Sequence, residues 1–259
     1  MLIVNNVSCK ITDMERYDPQ TQRLFTDCLI NCREMGGFPL KDGKVFSKGR
    51  FIRCSAPHLI VKDAYKKLKD YGVRTVIDLR SKAELKNYGN PFKDDPDVDF
   101  HSIPLFVGDP DQGNDPTMVF LRTHPLGDFY CVMVDTLGSE IAEVMRVLLN
   151  SEGVAMYHCA HGKDRTGVIS ALLYMLAGGD YEDIVLNYKV SYDYARSFLD
   201  PLIANKEEIM RHTLRSDENN MRILLDHFKK NYGGDVAFYL TKNGMSEDEV
   251  NRLRDKCLS

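Results

Sequence analysis

The chain has 259 residues, 43% of them hydrophobic, and a formal net charge of −4 without long like-charge blocks. That length and apolar content support a sizeable core, read here as a single domain over residues 1–259. The charge pattern excludes a nucleic-acid coat or a membrane-adsorbing face, so affinity for anions must be local. Nowhere do about 18 apolar residues follow one another, and the amino end turns polar soon after Leu2 to Val4. Neither a membrane span nor a signal peptide is expected; the cytoplasm is the expected location, with non-classical secretion left open. Seven cysteines without a dense framework read as reduced thiols. Cys28 and Cys32 have the spacing of half a zinc site, but no second half follows them, and they are expected to be packing cysteines.

Short β-branched or aromatic segments predict strands at Leu2 to Val4, Val7 to Ile11, Phe51 to Cys54, Thr75 to Leu79, Val98 to Ile103 and Val154 to Tyr157. The Gly-rich stretch from Arg33 to Arg53 reads as loops and short antiparallel pieces. Ala64, Tyr65, Leu68 and Tyr71 form a helical stripe stopped by Gly72, and Ser81 with Glu84 has capping-box spacing. Gly108 to Pro116 is built from turn formers and leads into apolar Met118 to Leu121 and Phe129-Tyr130. The insertion at about residues 106–137 is therefore expected either to cover a site as a lid or to pack as a surface excursion.

A further helix is predicted over Ser139 to Leu149, and an all-round apolar one over Val168 to Leu176. Helices are then expected at Tyr181 to Lys189, Pro201 to Leu214, Asn220 to Asn231, Val236 to Lys242 and Ser246 to Lys256, the last opened by a Ser246/Glu249 capping box. The alternation implies an α/β fold: a central, mainly parallel sheet flanked by helices, with a helical insertion and a helical carboxyl-terminal region.

The chemistry concentrates in His158-Cys159-Ala160-His161-Gly162-Lys163-Asp164-Arg165-Thr166-Gly167. A strand ending at His158 and a helix beginning near Thr166 force a tight turn whose amides can form an anion-binding nest, reinforced by the positive end of the helix. Ala160, His161, Gly162, Lys163, Thr166 and Gly167 are the expected substrate-binding positions. Arg165 is suited to grip two phosphate oxygens through its planar fork. Helix end and cations favour Cys159 as thiolate, the nucleophilic form. In-line attack on phosphorus would give a cysteinyl-phosphate that water cleaves, with no metal and no cofactor expected. Thr166 could donate a hydroxyl hydrogen bond to the departing sulfur.

The leaving oxygen needs a proton. Asp164 is the first candidate, being inside the loop; Asp128, on the insertion, is the second and Asp78 the third. Lys163 is either a reader of a second phosphate or a solvated cation, while His158 and His161 fit structural roles.

These ten residues resemble the signature of the cysteine-dependent protein tyrosine phosphatase superfamily. Gly162 to Gly167 is similar, more narrowly, to the atypical bacterial tyrosine and phosphoinositide phosphatases. Asn31 to Gly37, Gly49 to Ala56, Gly72 to Arg80 with Glu84, and Tyr232-Gly233-Gly234 with Tyr239, Leu240 and Gly244 resemble further blocks of that family, from about Asn31 onward. The resemblance implies a tyrosine-phosphatase-like fold, Cys159 as nucleophile, Arg165 as phosphate binder and Asp164 as acid and base. It also implies activity on phosphotyrosine, phosphoserine or phosphothreonine, and phosphoinositides, so the expected partners are phosphorylated proteins or phosphoinositides. His161 stands where small residues are common in that family, which bears on pocket width.

A nucleotide-binding loop fails on spacing, since Tyr157 occupies the place of its first glycine and Asp164 that of its magnesium-holding hydroxyl. A zinc site from His158, Cys159 and His161 lacks further ligands. A rhodanese-like sulfurtransferase and a phosphate-binding pseudophosphatase remain as alternatives.

Overall fold

The computed structural model describes residues 17–57 and 62–258. The strands expected at residues 2–4 and 7–11 lie outside them. Five strands form one sheet: Arg33–Glu34 (β1), Phe51–Cys54 (β2), Val73–Asp78 (β3), Asp99–Ser102 (β4) and Val154–His158 (β5). Their order is β1-β2-β5-β3-β4, with β1 antiparallel at one edge and the rest parallel. All five residues of β5 are buried, as a central strand covered on both faces requires. Val154 and Met156 pack with Ile52, Val73 and Val76, whereas Ala155 and Tyr157 join the larger core on the other face. Cys54 on β2 and Asp78 on β3 both lie opposite His158. In an open parallel sheet the crevice beyond the carboxyl ends of the strands is where ligands bind, and the chain leaves β5 there.

Ten helices surround the sheet among the described residues: Lys62–Tyr71 (α1), Lys82–Tyr88 (α2), Pro116–Phe120 (α3), Leu126–Thr136 (α4), Gly138–Asn150 (α5), Asp164–Leu176 (α6), Tyr181–Asn205 (α7), Glu218–Tyr232 (α8), Val236–Lys242 (α9) and Glu247–Leu258 (α10). Both expected capping boxes are present, Ser81 with Glu84 and Ser246 with Glu249. None of these helices is long and apolar enough to cross a membrane.

Two elements differ from the sequence expectation, and a third, the insertion, is helical as expected. Instead of two helices over Tyr181–Lys189 and Pro201–Leu214, α7 runs unbroken for 25 residues with Pro201 inside it, followed by a 3-10 helix over Glu208–Leu214. A proline this near a helix end forfeits one hydrogen bond, and burial of Ala195, Leu199 and Ile203 against Leu214 holds the backbone across it. The insertion is mostly helical from Pro116 onward, because Leu126, Tyr130, Met133 and Val134 give α4 an apolar face that is buried. Finally, α6 begins at Asp164 rather than near Thr166, which makes Asp164 and Arg165 its first two residues.

Candidate active site

The turn from β5 into α6 is held from outside by its carbonyls. His158 Nδ1 lies 3.2 Å from the Cys159 carbonyl, and Ala56 N donates to that of Ala160 at 3.0 Å. Asn31 Nδ2 donates to the His161 and Gly162 carbonyls at 3.0 and 2.9 Å, and Arg53 Nη2 adds a bond to Gly162 at 2.8 Å. Each peptide plane points its C=O and N–H in opposite directions. Four consecutive carbonyls tied to the surroundings therefore turn the following amides to the other side, and the amides of Ala160 to Lys163 make no hydrogen bond among the described residues. The first turn of α6 also lacks a side-chain cap, so its N–H groups add to the same nest. Gly162 makes the turn possible. Its φ is +63°, and a Cβ there would lie 2.3 Å from the Cys54 carbonyl oxygen.

Cys159 is buried at 1% exposure, and Arg165, 8% exposed, is the first cation along α6. Arg165 Nη1 and Nη2 both reach Glu84, at 2.6 and 2.9 Å. The two-pronged grip expected on phosphate is thus engaged with a carboxylate in this structure. Burial works against the guanidinium's charge, but Glu84 outweighs it and holds Arg165 firmly protonated. Burial likewise raises the Glu84 carboxyl, and Arg165 brings it below its usual range. Glu84 does this while also closing the capping box of α2 through Ser81 N at 2.8 Å. Thr166 Oγ1 is buried and has no partner among the described residues.

The three proposed acids separate clearly. Asp164 lines a cavity of about 520 Å³, together with Ala160, His161, Arg165 and Glu84. Its Oδ1 accepts from Lys163 Nζ at 2.6 Å and from the Tyr130 hydroxyl, which leaves Oδ2 without a hydrogen bond among the described residues. Asp128 does not line this cavity; Leu126 and Phe129 are the residues of α4 that do. The charge of Asp128 is instead felt by Cys131, which contacts the Ile223 carbonyl of α8. Asp78 is wholly buried and locked to Arg80 through both oxygens, with Asn90 bonded to it as well. Burial would raise its carboxyl, but His158 and Arg80 together hold it far below the usual range, which makes it a brace for the end of β3.

Lys163 is fully buried and absent from the cavity wall. Its ammonium binds Asp164 and the carbonyls of Thr213 and Arg215, at 3.2 and 2.8 Å. The second-phosphate role expected for it finds no support in that placement. His161 lines the cavity beside Phe198. Burial first, and then Lys163, pushes its imidazole down to about 4, so it is neutral at physiological pH.

Several site residues went unassigned in the sequence reading. Glu84 was legible as a helix cap and, like Asn31 and Arg53, as part of a family-like block, but without a role at the site. Tyr130 holds Asp164 and is in turn 2.8 Å from the Tyr188 hydroxyl. Asp111 was one acid in a turn-rich run; it lines the cavity and accepts from Tyr88 at 3.1 Å. Among the described residues no group of three His, Cys, Asp or Glu side chains is arranged to hold a metal, and Cys28, Cys32, Cys54, Cys131, Cys159 and Cys257 are free thiols.

A family model described as the tyrosine phosphatase family matches residues 25–259. The chain belongs to the tyrosine phosphatase family. Among curated relatives, a Cupriavidus necator protein whose name places it with the tyrosine-protein phosphatases is 27% identical over 169 residues, 62% of this chain and 60% of its own. A tyrosine-protein phosphatase of Nostoc commune is 27% identical over 199 residues, 71% of this chain and 65% of its own. The chain thus spans somewhat under two thirds of the length of these relatives. Among solved structures, Pseudomonas aeruginosa TpbA aligns over 89% of this chain and 95% of its own, with a TM-score of 0.43 and 16% identity. Its cysteine-to-serine variant in complex with phosphotyrosine aligns over 90% and 96%, with a TM-score of 0.42 and 16% identity.

Proposed function

We propose that this family member hydrolyses phosphate monoesters, phosphotyrosine foremost, through a cysteinyl-phosphate on Cys159. The observation that carries the proposal is the nest of unpaired amides made by tying back the carbonyls of residues 159–162 at the uncapped start of α6. Such a nest favours a phosphate dianion. The Cys159 thiolate attacks phosphorus, the ester oxygen departs with the proton of Asp164, and amides and Arg165 carry the charge on the equatorial oxygens. Water then attacks the phosphocysteine, giving its proton to Asp164 and returning the sulfur as thiolate. Thr166, buried without a side-chain partner among the described residues, is available to donate to that sulfur. Charge neutralisation by the loop and Arg165 leaves no step that calls for a metal.

The cavity walls support an aryl ester. Phe106, Met118, Leu126 and Phe129 make them apolar and aromatic enough to hold a phenyl ring. A polyphosphorylated inositol needs additional cations; Lys163 is committed to Asp164 and two carbonyls and Arg80 to Asp78, which leaves Lys206 as the further cation on the cavity wall. We therefore rank phosphotyrosine above phosphoserine, phosphothreonine and phosphoinositides.

The test is Cys159→Ser assayed on phenyl phosphate, a phosphotyrosine peptide and phosphoinositide vesicles. Turnover is expected to fall by roughly 10⁴-fold or more, as for other lost nucleophiles, with phosphate binding retained. Undiminished turnover would sink the mechanism. Thiosulfate turnover without phosphatase activity in the parent selects the sulfurtransferase, and phosphopeptide binding without turnover selects the pseudophosphatase.

A further inference from the structure

Two arginines stand side by side beneath the loop with no carboxylate paired to either among the described residues. The antiparallel register sets Arg33 on β1 opposite Arg53 on β2, and both are buried, at 0% and 1% exposure. Every hydrogen-bond partner they have among the described residues is neutral. Arg33 Nη1 donates to Asn31, and its Nη2 to the Asn187 carbonyl at 2.9 Å and Ser191 Oγ at 2.8 Å. Arg53 donates from Nη1 to Asn187 Oδ1 at 3.3 Å and from Nη2 to the Gly162 carbonyl at 2.8 Å. The Nε of each has no partner among the described residues. Burial, then the neighbouring Arg53, pushes the Arg33 guanidinium down to about 9, which still leaves it charged at neutral pH.

A buried ion without a counterion costs several kcal/mol even after relaxation, and a second like charge beside it adds repulsion. Hydrophobic residues of similar volume would fill the same space without that cost. What distinguishes this position is its connection to the loop. Arg53 bonds the Gly162 carbonyl directly, and Asn31, which Arg33 grips, bonds those of His161 and Gly162. Charge and carbonyl-orienting contact therefore reach the loop from the same two side chains, on the side away from the cavity.

We propose that Arg33 and Arg53 are positioning residues for the anion: a buried dication whose counterion is the phosphate dianion bound in the loop above it. The proposal rests on the reading of residues 159–165 as a phosphate site. It assigns Arg53 two effects, orientation of the loop amides through Gly162 and a long-range field, and assigns Arg33 the field together with the hold on Asn31.

The experiment measures binding of inorganic phosphate by calorimetry to the full chain carrying Cys159→Ser, alone and combined with Arg53→Met, Arg53→Lys or Arg33→Met. Melting temperature is read with and without phosphate. Affinity is expected to fall about tenfold or more with Arg53→Met, in line with loss of a charged hydrogen bond, and several-fold with Arg33→Met, which touches no loop atom. Arg53→Lys should recover part of the loss. The phosphate-free melting temperature should fall little or rise, because the like-charge contact is relieved. Unchanged phosphate affinity with a lower phosphate-free melting temperature would mean that the pair only holds the fold, and would overturn the proposal. If Arg53→Met does not fold, unchanged affinity in Arg33→Met and Arg53→Lys decides against it equally. No phosphate binding by the Cys159→Ser parent overturns the phosphate-site reading itself, a result distinguishable from the others.

Discussion

The loop from Cys159 to Lys163 and the segment from Leu105 to Pro125 border the same cavity, and they are held in opposite ways. Each carbonyl from residue 159 to 162 accepts at least one hydrogen bond, and Lys163 beside them is completely buried. Across the cavity, Asp111 is fastened to Tyr88 at its surface, and Arg122 to Glu207 by a paired, solvent-exposed ion bridge. Val107 and Val119 on this segment are exposed. Chemistry demands fixed atoms within a fraction of an ångström, while accepting differently shaped substrates demands a wall that yields. Under the proposed mechanism, rate would rest on the loop and substrate range on the segment facing it.

Perturbing the loop side should do the most. Asp164→Asn is expected to lower kcat for phenyl phosphate by about 10²–10⁴-fold, the usual span for a lost general acid, and by less for p-nitrophenyl phosphate, whose leaving group needs no proton. An equal loss on both esters would place the acid elsewhere. Next is Glu84→Gln, which keeps the cap of α2 but strips the buried Arg165 of its countercharge. A loss of about 3–5 kcal/mol in unfolding free energy is expected, partly restored by saturating phosphate and measured by denaturant titration.

His161 gives a pH signature. Its folded-state pKa of about 4 lies below the ordinary 6.5, so the unfolded chain binds the additional proton between those values. Stability should therefore be fully present above pH 6.5 and drain away as pH falls toward 4. His161→Gln should flatten that acid limb by on the order of 1–3 kcal/mol, seen in melting temperatures across the range; an unaltered limb would refute it. Smallest of all, Arg122→Ala removes an exposed ion pair and should cost under about 1 kcal/mol of stability. Any kinetic effect should fall on KM for bulky substrates, and a large drop in kcat for phenyl phosphate would erase the contrast between the two sides.

What the sequence disclosed follows from the range of the forces involved. Strand β5, the loop and α6 were legible because an apolar run, a tight turn and a second apolar run are local patterns, and β2, β3 and β4 fell near their expected bounds for the same reason, whereas the two-residue β1 was legible only as one of several short antiparallel pieces. Glu84 shows where that reach ends. Its capping-box role is set three residues away at Ser81, whereas its bond to Arg165 spans 81 positions and leaves no spacing to read. Lys163 was open between a phosphate-reading and a solvated role, and no spacing shows that its long side chain turns inward, toward the carbonyls of Thr213 in a distant 3-10 helix and of Arg215 just beyond it. The continuity of α7 through Pro201 was hidden because a local breaker was outweighed by burial along a face that only the folded chain provides.

The carboxylate of Glu84 has a consequence for how the site fills. Arg165 already faces an anion in this structure: Nη1 and Nη2 each give one hydrogen bond to Glu84, and the second N–H of each terminal nitrogen, together with Nε, is left over for a ligand. In the proposed mechanism a phosphate would share the guanidinium with Glu84, so the carboxylate fixes the orientation of the fork before any ligand arrives. A dianion with several oxygens would fill the amide nest and the remaining N–H groups of Arg165 together, whereas chloride or a simple carboxylate would reach only part of that set.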